Sequence, residues 1–561
     1  MRREFACPMQ WDQAESVRNA RDEACHRGAP RGIRNGSRGT GCAAKRGAML
    51  SPEYNDYLRD ESRRMGRADA ISFPRTESDI CKALAAAREA HQPVTIQGAR
   101  TGITGGAVPD GGHILNLSRM NGILSAAVDP ASGECRLVVQ PGLLLADLNR
   151  FLRAPLAADL PAAAGLDAAA RRSIAESNPF FFPPDLTETS ASLGGLVACN
   201  GSGARSYRFG AARAFVRSLR IMLADGRTIA LQRGVQSASG RSFALVDGRI
   251  RIEGTLPSYA MPNGKSAAGY FAKDNMDLID LFIGAEGTLG VLSQVEIAAI
   301  PLPPVLWGVM AFLNTEEDAL TFVERARAAP ARPIAIEYID AAAIGLLRAQ
   351  KHGNPAFANL QEPPSGRIAA VYVEYGGTAE AVDQAVSAMS DVLSDCGGDV
   401  DQTWLASSER EIDGLKKFRH AVPEAINLLI DERRRTEPKL TKLGTDLAVP
   451  DRALRSVVRL YREGLQHAGL ESAVFGHIGN NHLHVNIIPR NLAEYEAGRA
   501  LYLGWAREVV AMGGTISAEH GVGKLKVPLL REMYGDEGIR QMRELKRLFD
   551  PENVLNPGNL F

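Results

Sequence analysis

The chain has few cysteines, no excess of either charge and no long apolar run. Its seven cysteines, at positions 7, 25, 42, 81, 135, 199 and 396, form no Cys-x-x-Cys pair and no evenly spaced framework. That argues against a disulfide scaffold or an iron–sulfur cluster and favours a reducing compartment. Lysines and arginines number 65, against 65 aspartates and glutamates, so no nucleic-acid partner and no strong membrane-surface field is expected. The most apolar stretch, residues 298–313, is interrupted by Pro301, Pro303 and Pro304 and is too short to cross a bilayer. Residues 1–48 are rich in arginine and glycine and hold no apolar core of the kind a secretory signal needs; they read as a flexible tail, with Met49 as an alternative start. Asp12, Glu15, Asp22 and Glu23 count against a transit peptide.

What is present is enough for more than one core. A length of 561 residues with 45% hydrophobic content predicts at least two domains. Residues 77–91 carry a helical stripe of Ile80, Leu84, Ala87 and Ala90, and a helix is also expected over 52–65. Residues 93–97 then read as a strand that enters a glycine loop, 98–106, before a second strand at 114–117. Strand, glycine loop, strand is not the order of a Rossmann or Walker site, each of which opens a helix. Two further glycine-rich stretches follow, 190–203 and 282–291, separated by a hairpin over 215–231. Three such loops in one mostly β region point to a single elongated ligand touched in three places. The prolines at 301–304 mark a domain boundary. Beyond them strands alternate with helices, as in an α+β domain whose helices cover a sheet.

The sharpest local signal is Gly476-His477-Ile478-Gly479-Asn480-Asn481-His482-Leu483-His484-Val485-Asn486. Apolar residues on both sides read as strands, and Asn480-Asn481 can form a two-residue turn. That register sets His477 opposite His484, with Cβ atoms about 4.5–5.5 Å apart, suited to imidazoles that each reach about 2.0–2.1 Å to one divalent ion. His482, on the same face, could replace either ligand or stand behind them. Downstream, Glu519 and His520 follow a strand-like segment, 514–517, and enter a glycine turn. Glu519 would complete a His/His/carboxylate set with open positions, and His520 would stand beside the ion as acid or base.

Taken together these motifs resemble the FAD-linked 2-hydroxy acid dehydrogenases of the vanillyl alcohol oxidase fold. The resemblance runs from about residue 70 to 561. It is carried by the 98–106 loop, Pro183-Pro184-Asp185 with Leu193-Gly194-Gly195, Gly284-Ala285-Glu286-Gly287-Thr288-Leu289-Gly290, the histidine hairpin, Glu519-His520-Gly521, and the closing run 549–558. It implies an α+β chain of two domains: a PCMH-type FAD-binding domain over 49–302 and a cap with a helix-covered antiparallel sheet over 303–540, with 541–561 returning to the flavin. The cofactor-binding residues it implies are Arg100, Thr101, Gly102, Thr104, Gly105 and Gly106 at the pyrophosphate. Pro183, Asp185, Thr187, Gly194, Gly195, Asn200 and Ser202 would lie along the flavin ring and ribityl chain, and Glu286, Thr288, Gly290, Val291 and Asn556 elsewhere on FAD. No histidine lies within the first loop, so FAD is expected to be non-covalent.

The same resemblance assigns Arg419 to the substrate carboxylate, which a guanidinium fork holds in a fixed plane. His477, His484 and Glu519 would hold a divalent metal, zinc or manganese, that acidifies the 2-hydroxyl, while His520 takes the proton and Asn486 hydrogen-bonds the substrate. Hydride would pass to flavin N5. The implied partners are a small D-lactate-like 2-hydroxy acid and an electron acceptor: a quinone, a cytochrome or an electron-transfer flavoprotein. A cytoplasmic location is expected, with peripheral association at the inner membrane and a homodimer both left open. The rival readings are an ether-lipid-synthase-like FAD transferase, a flavin-free metal hydrolase, and a non-catalytic flavin subunit of a larger complex.

The chain departs from the family pattern in two places that bear on the substrate. Several relatives carry Lys-Tyr-Asp where this chain has Gly444-Thr445-Asp446, so a lysine used there on a distal carboxylate is missing, with Lys439 and Lys442 as candidates to replace it. In the hairpin, Asn480-Asn481-His482 stands where Asp-Gly-Asn is commoner and adds an imidazole. Residues 237–273 read as an extra loop at the entrance.

Overall fold

The computed structural model describes residues 50–561 apart from Ala158 and Asn178; the expectations for residues 1–48 and Met49 lie outside them. The first segment forms a 3-10 helix at Pro52–Leu58 rather than the longer helix expected over 52–65. It buries no residue and so has no apolar face to extend.

Three short strands, Ala70–Ser72, His113–Asn116 and Val94–Gln97, make a parallel sheet with His113–Asn116 in the middle. The helix Glu77–Glu89 buries Ile80, Leu84 and Ala87 and starts with a capping box between Thr76 and Asp79. Its stripe packs into one cluster with Val94, Leu115 and Leu555. The glycine loop therefore bridges two adjacent parallel strands.

An antiparallel sheet follows, in the order Ile123–Val128, Cys135–Val139, Val291–Pro301, Val216–Met222, Thr228–Gln232. The short helix Leu193–Ala198 opens with Ser192 Oγ accepting from the amide of Gly195. The same hydroxyl accepts from the amide of Ala99 at 3.3 Å. A Cβ on Gly98 would come within 2.1 Å of it, so glycine at 98 is what lets the first two glycine segments touch.

The strand Val291–Pro301 belongs to this sheet, whereas Val305–Leu313, just past the prolines, belongs to another. The second sheet is antiparallel and runs Trp404–Ala406, Val305–Leu313, Ala369–Gly377, Ala335–Asp340, Ser472–His477, His482–Ile487, Leu443–Gly444. Both faces are covered, which is why its central strands are apolar almost without alternation. Val309 and Ala311 join the cluster that holds the helix Glu316–Ala328, while Met310 and Phe312 join the one that holds Ala341–Gly353 and Glu409–Arg433. The period of two assigns the site residues to a side. Glu337 shares the face of Ile339, and His477 shares that of Phe475, so both lie toward the long helix that carries Arg419.

After the helix Val527–Phe549 the chain returns to the first domain. Leu555 bridges Val94, and the Asn556 side chain accepts from the amide of Ile96 at 2.7 Å and donates to the carbonyl of Glu286 at 2.7 Å.

Candidate active site

The hairpin forms with a different register from the one expected. His477 lies opposite His482, and Phe475 opposite His484. Residues 478–480 make a 3-10 turn and only Asn481 takes positive φ, at 52°, so the loop has four residues, not two. Its cause is distant in sequence: the Asn481 side chain donates to Asp451 at 2.7 Å and accepts from Arg327 at 2.6 Å. His477 and His484 nevertheless meet as diagonal neighbours on one face, their ring centroids 5.6 Å apart. Gly476 makes room for this, since at φ 134° a Cβ there would lie 2.9 Å from Cδ2 of His484.

Glu519 closes the group. One carboxylate oxygen lies 3.3 Å from Nε2 of His477 and 3.9 Å from Nδ1 of His482, the other 3.2 Å from Nε2 of His484. His477, His482, His484 and Glu519 each offer a ligand atom within 4.8 Å of the others. The outward nitrogens of two imidazoles are taken. Nδ1 of His477 lies 2.6 Å from Glu337, and Nδ1 of His484 lies 3.1 Å from the carbonyl of Thr445. Glu337 and the Thr445 carbonyl only accept, which favours the proton on each Nδ1 and turns each Nε2 lone pair toward Glu519, with the Arg419 guanidinium 3.3 Å from Nδ1 of His477 as a competing donor there. Lone pairs and a carboxylate facing one point fit a cation there. The ion-like group now in contact is the Lys265 ammonium, 2.6 Å from Glu519 and, like it, largely buried.

Two acids that the sequence reading gave no role hold this arrangement. Asp446 is fully buried and accepts from Ser517 Oγ at 2.6 Å, Lys526 Nζ at 2.6 Å, and the amides of Glu519 and His520 at 3.1 Å. It ties the Glu519–His520 turn to the hairpin, and burial, which would raise its carboxyl, is overcome by His520 and Lys526, which hold it well below the usual range. Glu337, also buried, is opposed by burial but pulled down to about 2 by Arg419 and His477. An acid within the strand Ala335–Asp340 was the available signal, since a carboxylate is retained inside a sheet only with partners. Residues 514–517, expected as a strand, contribute one isolated bridge from Thr515 to Ala448, because this backbone turns to meet Asp446 instead.

These groups open on a cavity of about 510 Å³. Of the expected cofactor residues, Arg100, Thr101, Gly102, Thr104, Gly106, Thr187, Gly194, Gly195, Ser202, Glu286, Gly290 and Asn556 line it. So do Arg419, His477, His484, Asn486, Glu519 and His520. Ser202 Oγ is buried with no hydrogen-bond partner, a polar atom left for a ligand, and a Cβ on Gly102 would meet only open space. Three glycine segments, an unpartnered hydroxyl and an apolar wall fit an extended cofactor such as FAD.

Six expected cofactor residues do not line the cavity. Asn200, at φ 50°, uses its side chain on the carbonyl of Ser266 and the amide of Arg213. Thr288 donates to the carbonyl of Ala285 and meets Tyr270, and Val291 packs in the core with Ile80 and Leu84. Pro183 is buried, and Gly105 sits beside Leu525 and Lys524. Asp185 faces Arg205 and Lys416 at 3.5 and 3.6 Å in a small adjoining cavity of about 40 Å³. Glu286 does reach the main cavity, but its carboxylate is committed to the amides of Val522 and Gly523, and burial raises it. Arg419 pairs with Glu337 and not with Glu424. The Asn486 side chain donates to the carbonyl of His484 at 3.2 Å. His520 stacks on His484 and lies 3.4 Å from both Asp446 and Glu519.

A cavity between a PCMH-like domain and a sheet-based cap, with a His/Glu group in its wall that could hold a cation, fits a flavoprotein oxidoreductase. Residues 68–168 and 162–232 match the FAD binding domain, and 303–560 match the C-terminal domain of the FAD linked oxidases. The chain belongs to this family, the FAD-linked oxidoreductases that include D-lactate dehydrogenase, D-2-hydroxyglutarate dehydrogenase and glycolate oxidase. The glycolate oxidase subunit GlcD of Bacillus subtilis (strain 168) is 27% identical over 497 residues, covering 88% of this chain and 89% of that one. The mitochondrial D-2-hydroxyglutarate dehydrogenase of Bos taurus is 28% identical over 514 residues, 91% and 79% of the two chains. Among solved structures, p-cresol methylhydroxylase with substrate bound superposes with a TM-score of 0.59 at 16% identity, over 91% of this chain and 93% of that one. Alkyldihydroxyacetonephosphate synthase gives 0.56 at 15%, over 88% and 77%; these two likenesses speak for the fold alone. Among the described residues no helix is long and apolar enough to cross a membrane.

Proposed function

We propose that the protein oxidises a small 2-hydroxy acid of the D-lactate type to the 2-oxo acid and passes the electrons to a quinone, a cytochrome or an electron-transfer flavoprotein. The observation that carries this reading is the opening of the His477–His484–Glu519 group onto the same cavity as the three glycine segments. FAD held there would supply the hydride acceptor. A divalent ion on His477, His484 and Glu519 would supply Lewis acidity toward the substrate hydroxyl.

The chain's own residues do the rest. Arg419, its plane fixed by Glu337, presents its guanidinium on the cavity wall for the substrate carboxylate. Asn486 lies on the face of His484 and offers an amide to the substrate. His520 borders the cavity with Nδ1 turned to Asp446 and Nε2 to Glu519, so a proton leaving the hydroxyl has an imidazole beside it and a buried carboxylate behind that imidazole. The hydride donor carbon is held by these contacts while the apolar wall excludes water.

The test is anaerobic. D- and L-2-hydroxy acids are added to the yellow holoprotein with and without a chelator, and the flavin absorbance is followed. Bleaching by one enantiomer series, abolished by the chelator, is the expected result. A flavin that no 2-hydroxy acid bleaches would sink the proposal and favour a transferase of the same fold, which needs no net reduction.

A further inference from the structure

We propose that His482 is a fourth protein ligand, so that the centre of this chain holds three imidazoles and one carboxylate and is built for an ion of five or six ligands, in the class of manganese(II) or iron(II), rather than for tetrahedral zinc. The inference rests on the metal-assisted reading above and sharpens it.

The register that overturned the expected hairpin is what creates the ligand. His482 lies directly opposite His477 and two residues before His484 on one face, with ring centroids 5.4 and 4.4 Å from theirs. The ring is fully buried. Its Nε2 lies 3.1 Å from Asp446 Oδ1, off the line of a well-formed hydrogen bond but next to a group that can only accept. Its Nδ1 has no hydrogen-bond partner and faces Glu519 at 3.9 Å. Both ring nitrogens of His482 thus lack a hydrogen bond, and with Asp446, which can only accept, beside Nε2, the proton belongs on Nε2 and the Nδ1 lone pair faces the centre.

Ligand count then decides the ion. Atoms bound to one ion at about 2.0–2.1 Å lie at most about 4.2 Å apart, so a group spanning 4.8 Å needs only a small closure. Four protein ligands complete tetrahedral zinc, the pattern of a structural site, and leave no position for a substrate hydroxyl. An ion that prefers six ligands keeps two positions open.

The decisive measurement is metal-edge X-ray absorption on the full-length holoprotein, loaded in turn with manganese(II) and zinc(II), with and without pyruvate as a 2-oxo acid probe. Three imidazoles around each ion are expected, with pyruvate adding oxygen ligands to manganese and leaving zinc unchanged. In His482→Asn the count falls to two, and manganese affinity falls by more than the about 10–100-fold typical of losing an outer-shell partner. Two imidazoles in the wild type, or a zinc form that takes up pyruvate oxygens, would overturn the proposal alone. Failure to bind either ion would overturn it together with the metal-assisted reading. The wild-type count needs no variant to fold.

Discussion

The ammonium of Lys265 lies 2.6 Å from Glu519, and both side chains are largely buried. Around the imidazoles three carboxylates, Glu337, Asp446 and Glu519, face three cations, Arg419, Lys526 and Lys265. The cluster is thus balanced before any ion arrives, and an added divalent charge competes with Lys265 for Glu519. Lys265→Met should cost the ion-free protein about 3–5 kcal/mol, the usual result of leaving one member of a buried pair alone. The same variant should bind manganese(II) or zinc(II) more tightly than the wild type. Denaturant titration with and without ion checks both halves; equal stability of the two ion-free proteins would show that the pair does no such balancing.

His520 is 26% exposed at its side chain, against 5% for His477 and 12% for His484, and touches both Asp446 and Glu519; it is the imidazole proposed above to take the proton. His520→Ala should leave FAD binding intact and slow flavin reduction about 10²–10⁴-fold, the contribution typical of a positioned proton acceptor. Stopped-flow absorbance under anaerobic conditions reads the rate. A variant reduced as fast as the wild type would remove His520 from the proton path.

Much of this arrangement was legible in the sequence because it is local. Periodicity marked the strands on either side of the hairpin, the glycine segments marked the cavity floor, and Glu519-His520 stood out beside a turn. The register was not legible, because it is set by Arg327 and Asp451 acting on Asn481 from elsewhere in the chain. Glu337, Asp446 and Lys265 escaped for the same reason: each gains its role from partners that only the folded sheet and the 237–273 segment bring close, a segment that reads as an extra loop but folds in part as the hairpin Ser242–Asp247 with Ile250–Thr255. Asn200, Thr288 and Val291 lie inside glycine-rich motifs but spend their side chains on the backbone that shapes the loop or on the core beneath it.

Lys442 lines the cavity, whereas Lys439 does not. Burial, followed by the charge of Arg63, pulls its ammonium down to about 8. Its charge is present below that pH and lost above it, so attraction for a second substrate carboxylate fades as pH rises through about 8. The KM for 2-hydroxyglutarate should accordingly rise above pH 8 while that for lactate follows no such step. Lys442→Gln should remove the difference, and parallel KM profiles for the two acids in the wild type would deny Lys442 a part in substrate selection.

Asp446 receives two side-chain donors and two amides that would otherwise be buried without an acceptor of full charge. The Asp446→Asn variant keeps the volume but offers one acceptor oxygen and turns an amide NH2 toward Lys526 or the backbone donors. An unpaired Lys526 in this position makes a loss of about 3–5 kcal/mol the expected cost, measured as a fall in the denaturant midpoint at unchanged slope. Because the same carboxylate aligns the 519–520 turn, the variant should also loosen Glu519, and its ion affinity should drop even where the fold persists. A combined Asp446→Asn, Lys526→Met protein separates the two effects: it removes the stranded cation and should regain stability without regaining ion affinity. Recovery of both together would mean that Asp446 acts only by neutralising Lys526 and does not position the ligand turn.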